Sequence, residues 1–117
     1  MPHQISDDMR QCIAHCSDCH NICVETANHL LEMGGPRAEA GLIRLLLDCA
    51  QICATSADFM LRSSDFSPRT CGVCAEVCER CAAECDRLAD GDELMLRCAE
   101  TCRRCAACCR RMAGMAA

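Results

Sequence analysis

Along most of this chain, apolar and thiol side chains recur every third or fourth residue, with polar residues between them. That spacing keeps a set of side chains on one face of a 3.6-residue helix. Turn signals divide the pattern into four helical segments. The first runs over about 6–33, with Ser6 as N-cap and Asp7 and Asp8 in its first turn, and stops at Gly34, Gly35 and Pro36. The second covers about 37–62 and fades into the polar run Ser63–Ser64–Asp65. Ser67 before Pro68 reads as the N-cap of a third helix over about 68–89. Asp90, Gly91 and Asp92 interrupt again, and a fourth helix fills about 93–112. Short connections between four such segments predict an all-α, antiparallel up-down-up-down four-helix bundle. Residues 1–117 are expected to form a single domain.

The inward stripes are made largely of cysteine. The first helix carries Cys12, Cys16, Cys19 and Cys23, while Arg10, Asp18, Glu25 and Glu32 take the opposite face. The second has Cys49 and Cys53. The third has Cys71, Cys74, Cys78, Cys81 and Cys85, and the fourth Cys98, Cys102, Cys105, Cys108 and Cys109. Antiparallel folding predicts Cys23 near Cys49, Cys19 near Cys53, Cys85 near Cys98, Cys81 near Cys102, and Cys74 near Cys108 and Cys109. The thiols therefore form one continuous column. Leu30, Leu42, Leu45, Leu46, Leu88 and Leu94 are expected to close one end, and Met9, Met60 and Met112 to gather at the other.

Composition sharpens this picture. The chain has 117 residues, of which 16 are Cys, with two Phe and no Trp or Tyr, so thiols and aliphatic groups must fill the core. The formal net charge of −5 and the absence of a basic patch interleaved with aromatics exclude a nucleic-acid reading. Neither a signal-peptide pattern nor an apolar run long enough to span a bilayer is visible; GLIRLLLDCA is short and broken by Arg44 and Asp48. A cytoplasmic location is expected, where thiols stay reduced.

Buried Cys can be a mere small hydrophobe, but Ala, Val or Leu would fill sixteen core positions without the risk of oxidation. Intrahelical disulfides are strained, since neighbours three or four apart hold their Cβ atoms about 5–6 Å apart against the roughly 3.5–4.5 Å of a disulfide. Bridges between helices remain open. Metal fits better, because soft thiolates select Cu(I), zinc or iron–sulfur clusters. Zinc and iron–sulfur sites usually sit on knuckles and loops. The C-x3-C-x2-C strings CIAHCSDC and CAETCRRC, and the dithiol CGVC, lack the strand–helix context those motifs need. Cu(I) accepts two or three sulfurs, so a C-x3-C pair on one helix can complete a site. Bridging thiolates would let the column load many ions, on the order of ten by ligand count.

A cysteine-lined four-helix bundle with C-x3-C and C-x2-C repeats over residues 6–112 resembles the bacterial copper storage proteins, in particular their cytosolic branch. The resemblance implies multiple Cu(I) ions bound by all sixteen Cys, entrance roles for Met9, Met60 and Met112, and assembly into a homo-oligomer, commonly a tetramer. Copper-delivering or copper-accepting proteins are the expected exchange partners, and no membrane partner is implied. Helix 2 departs from a fully lined bundle: Leu42, Leu45 and Leu46 replace thiols, which lowers the expected capacity.

His15 and His20 flank the first stripe and are candidate edge ligands, although exposed or interface histidines would look the same. His3 and His29 carry no expected role. Arg103, Arg104, Arg110 and Arg111 border thiols in CRRCAACCRR, either favouring thiolate or simply complementing a helix C-terminus. No nucleophile–base pair, carboxylate dyad or nucleotide loop appears, so no enzymatic activity is expected. A thiol redox buffer and a zinc-dependent structural or interaction module remain as alternatives.

Overall fold

The structure, a computed structural model, describes residues 5–114. Four α-helices follow one another: α1 (Asp7–Met33), α2 (Ala40–Leu61), α3 (Ser67–Leu88) and α4 (Glu93–Met112). No strand occurs among the described residues. The helices form an elongated bundle of 54 × 25 × 20 Å, and the main contacts run around the ring α1–α2–α3–α4.

Helix boundaries follow local chemistry. The Ser6 hydroxyl accepts a hydrogen bond from the Met9 N–H at 3.1 Å, capping α1 beside Asp7 and Asp8. Gly34 and Gly35 adopt φ of 68° and 72°, a region glycine enters without steric cost, and the Gly34 N–H closes onto the Leu30 carbonyl. At the third turn the Asp92 carboxylate accepts from the Met95 N–H at 3.0 Å and caps α4.

Two boundaries depart from expectation. Residues Gly35–Ala38, with Pro36 near their start, form a separate 3-10 turn, and α2 begins only at Ala40. Ser67 is the first residue of α3, not its N-cap; Phe66 holds the cap position and the Ser67 hydroxyl caps nothing. The Ser64 hydroxyl instead accepts from the Phe66 N–H, at 3.1 Å.

All sixteen cysteines are buried, fifteen of them with no exposure and Cys108 at 1%. Leu30, Leu42 and Leu46 fill the end nearest the first and third turns, and Leu45 and Leu88 pack there while half-exposed. Leu94 is not part of this plug. Met95, fully buried, takes its place, because the α4 stripe extended back from Cys98 by one helical step reaches position 95. Helix α2 is long and apolar enough, by length and composition, to cross a membrane. Its stripe of Leu42, Leu46, Cys49, Cys53 and Met60 is nevertheless buried within the bundle.

Candidate metal centre

Four helices aim their stripes at one axis, and the thiols meet there at van der Waals range. Cys19 on α1, Cys49 on α2 and Cys78 on α3 form a triangle with Sγ–Sγ edges of 3.8, 3.9 and 3.6 Å. Cys53, Cys74 and Cys78 form another, with edges of 3.6, 3.6 and 3.8 Å. The centre of such a triangle lies about 2.2 Å from each sulfur, close to the roughly 2.3 Å of a zinc–thiolate bond taken as a guide.

Larger groups run along the axis. Sulfurs lie within 4.8 Å of one another in the tetrads Cys16/Cys74/Cys105/Cys109, Cys19/Cys53/Cys78/Cys105, Cys19/Cys23/Cys49/Cys102 and Cys23/Cys81/Cys98/Cys102, and in the triad Cys12/Cys108/Cys109. Each tetrad draws on three or four helices, and C-x3-C pairs within one helix also stand close, Cys19 and Cys23 at 4.0 Å and Cys74 and Cys78 at 3.8 Å. Neighbouring groups share sulfurs: Cys109, Cys105, Cys19, then Cys23 with Cys102. Cys71 and Cys85 belong to no group. Cys71 interacts with Cys109 and Cys12, and Cys85 with Cys81 and Cys98, so they extend the column at its two ends.

Sharing decides the chemistry. A mononuclear structural zinc site takes four ligands of its own, and because adjacent tetrads overlap, at most two tetrads can be filled in that way at once. An ion that accepts two or three sulfurs and tolerates bridging thiolates can use the whole chain of groups.

The pairings expected from antiparallel folding hold for Cys23 with Cys49, Cys19 with Cys53, Cys81 with Cys102 and Cys74 with Cys109. Cys108 departs from Cys74 and turns to α1, where its Sγ lies 2.6 Å from Cys12 Sγ and 3.2 Å from the Cys105 carbonyl oxygen. The reason is angular: Cys108 stands about 100° around the helix from Cys109 and so faces the α1–α4 seam.

Hydrogen bonding inside the column polarises the thiols. Contacts with Cys105, then Cys109 and Cys16, lower Cys74, whereas Cys105, then Cys19 and Cys49, raise Cys78. At the wide end Cys109 and then Cys12 pull Cys71 down to about 4, and Cys108 pushes Cys105 up to about 12. Metal uptake must displace such protons, which makes binding pH-dependent.

The other candidates separate clearly. Met9 and Met112, both half-buried, line a pocket of about 380 Å3 with Ser63, Ser64, Asp65, Ser67 and Pro68 at the wide end. Met60 is fully buried among core side chains. His15 is half-buried in a groove with Asp18, Asn21, Glu25 and Thr101. His20 donates from Nδ1 to the Ala50 carbonyl at 2.9 Å, tying α1 to α2. Neither histidine joins a thiol group. His29, without an expected role, pairs through Nε2 with the Asp92 carboxylate at 2.8 Å. No stripe argument could reveal that link, which depends on α1 and α4 meeting at the plugged end. His3 lies outside the described residues.

The model of the family described as copper storage protein matches residues 5–114. The chain belongs to the copper storage protein family. Solved structures agree with that membership. A protein from Nitrosospira multiformis is 49% identical, with 92% of this chain and 96% of that one covered and a TM-score of 0.85. A Cu(I)-bound copper storage protein of Bacillus subtilis is 34% identical over 92% of this chain and 99% of its own, also at 0.85. A cytosolic copper storage protein from Streptomyces lividans, solved with five coppers, is 30% identical over 92% and 93%, at 0.84. Among curated proteins none matches significantly. Copper storage proteins of this kind thus share with the present chain a four-helix architecture over nearly its whole length.

Proposed function

We propose that this copper storage protein sequesters multiple Cu(I) ions inside the bundle, with all sixteen cysteine thiolates as ligands. The observation that carries the assignment is the run of sulfur groups joined by shared members. Shared sulfurs suit bridging thiolates and ions of low coordination number. Cu(I)-bound and copper-loaded relatives support the same reading. The role is storage by metal binding, and no catalytic step is assigned.

Copper passes the wide end, where Met9 and Met112 offer soft thioethers at the lip of the column and Met60 lies deeper. His15 stands at the edge beside Cys108, a further ligand position for an ion in transit. The protein works in the cytoplasm, like its Streptomyces lividans relative, and exchanges copper with delivering or accepting proteins. It assembles into a homo-oligomer through the outer faces of α1 and α2, where Val24, Leu31, Leu47 and Leu61 are each at least 43% exposed.

Anaerobic titration of the reduced protein with Cu(I) against a competing chelator tests the storage role. Loading of several equivalents is expected, and saturation at one or two would sink it. Zinc is expected to stop at about two tightly held ions, the number of tetrads that can be filled without sharing.

A further inference from the structure

Two hydroxyl groups remain unexplained by the thiol column, and they sit at its two ends. Among the described residues, the only buried side-chain nitrogen or oxygen atoms without a hydrogen-bond partner are Thr26 Oγ1 and Ser67 Oγ. Thr26 is fully buried and Ser67 is 5% exposed. Leaving a buried hydroxyl unpartnered costs a folded protein stability. Other serines and threonines avoid that cost with a carbonyl. Ser56 donates to Thr70 O at 3.2 Å, Thr70 to Ser67 O at 3.1 Å, and Thr101 to Arg97 O at 2.9 Å.

Position distinguishes the two orphans. The α1 stripe runs Cys12, Cys16, Cys19, Cys23 and then Thr26, before Leu30 closes the plugged end. The α3 stripe begins at Ser67 and continues through Cys71, Cys74, Cys78, Cys81 and Cys85. Helical side chains lean toward the helix N-terminus. Thr26 therefore leans back toward Cys23, and Cys71 leans back toward Ser67. Ser67 also lines the wide-end pocket with Met9 and Met112. Each hydroxyl thus occupies a stripe position that a further cysteine would otherwise fill.

A protonated thiol is a weak acceptor and supplies its own proton to a neighbour. Once a Cu(I) ion replaces that proton, the sulfur is a thiolate with acceptor capacity only. In a loaded column the sulfurs in the middle, which belong to more than one group, would be shared between ions, whereas those at the ends would have metal on one side alone. We propose that Thr26 and Ser67 donate hydrogen bonds to the copper-bound thiolates at the closed and open ends of the column, Thr26 in the Cys23 layer and Ser67 beside Cys71. Both are positioning residues that hold no metal themselves. In the metal-free protein no partner, thiol sulfur included, meets either hydroxyl in bonding geometry, and loading turns the end sulfurs into charged acceptors strong enough to draw the hydroxyls in. This inference rests on the storage reading.

Replacing Thr26 with the nearly isosteric Val removes the hydroxyl and keeps the volume. In the metal-free protein T26V is expected to melt a few degrees higher than wild type, since an orphaned polar group is gone. Against a competing chelator, its most weakly held Cu(I) equivalents should be about tenfold weaker, the scale of a hydrogen bond to a charged acceptor. Thr26→Ser, which retains the hydroxyl, should restore wild-type copper affinity. Ser67→Ala should accelerate chelator removal of the first ions to leave. Unchanged copper affinity in T26V overturns the proposal, as does equal weakening in T26S, which would assign the effect to packing. A lower melting temperature for metal-free T26V would show the hydroxyl already engaged before copper arrives and would also refute it. Failure of wild type to load several ions would refute the storage reading instead, so the two outcomes are distinguishable.

Discussion

Deleting the sulfur of Cys19 tests whether sharing governs the column. Cys19 Sγ touches Cys102 at 3.6 Å, Cys49 at 3.8 Å, Cys78 at 3.9 Å and Cys23 at 4.0 Å, and it belongs to two tetrads. Cys85 is equally buried yet belongs to none. Cys19→Ala and Cys85→Ala each remove one buried sulfur of roughly methylene size, so both metal-free variants should lose about 1–2 kcal/mol, from lost transfer and a small cavity. For a chain of this length that is a fall of about 3–12 °C. Copper capacity should respond differently. Without Cys19 the groups on either side of the middle lose their common sulfur, and loading should fall by one to two ions. Without Cys85 the column only shortens, and loading should fall by one ion or less. Calorimetry of the metal-free proteins measures the first quantity, and anaerobic Cu(I) titration with metal analysis after desalting measures the second. Equal copper losses in the two variants, or none in Cys19→Ala, would refute the argument from shared sulfurs.

Two other perturbations follow from the ends of the bundle. Substituting Met9, Met60 and Met112 together with Leu should leave the equilibrium copper count unchanged and slow both loading and removal; rates equal to wild type in stopped-flow chelator exchange would remove the entrance role. At the plugged end, the His29 contact, followed by the Met95 and Leu94 backbone N–H groups, holds the Asp92 carboxyl below the usual carboxylate range. A depressed carboxylate contributes stability above its unfolded value near 3.9, and that contribution is lost as pH falls through the folded value. His29→Ala should therefore raise the midpoint of acid unfolding, followed by circular dichroism below about pH 5, and an unchanged midpoint would show the pair to be energetically silent.

Much of the site was legible in the sequence because thiol spacing and helical period coincide. Steps of three and four residues place Cys12 to Cys23, Cys71 to Cys85 and Cys98 to Cys109 on single faces whatever the surroundings. The turns announced themselves through Gly34, Gly35 and Asp92, whose turn and capping roles depend on neighbouring backbone alone. Where local reasoning failed, a competing local element intervened or the answer lay across the bundle. Ser67 before Pro68 looks like a cap, but the chain turns one residue earlier and leaves its hydroxyl in the column. Leu94 and Met95 are adjacent hydrophobic residues, and only the phase of the assembled α4 stripe sends Met95 inward.

The sequence alone determined four amphipathic helices, their order, and a thiol-lined interior, since each follows from periodicity and short turns. Tertiary structure alone decided which sulfurs share a site, because the groups draw on helices distant in sequence and depend on axial register to within a few ångströms. It also decided that Cys108 faces Cys12 across the α1–α4 seam, that His20 and His29 tie helices together, and that two hydroxyls wait at the ends of the column. Periodicity assigns a side chain to a face; only packing brings that face within bonding distance of another.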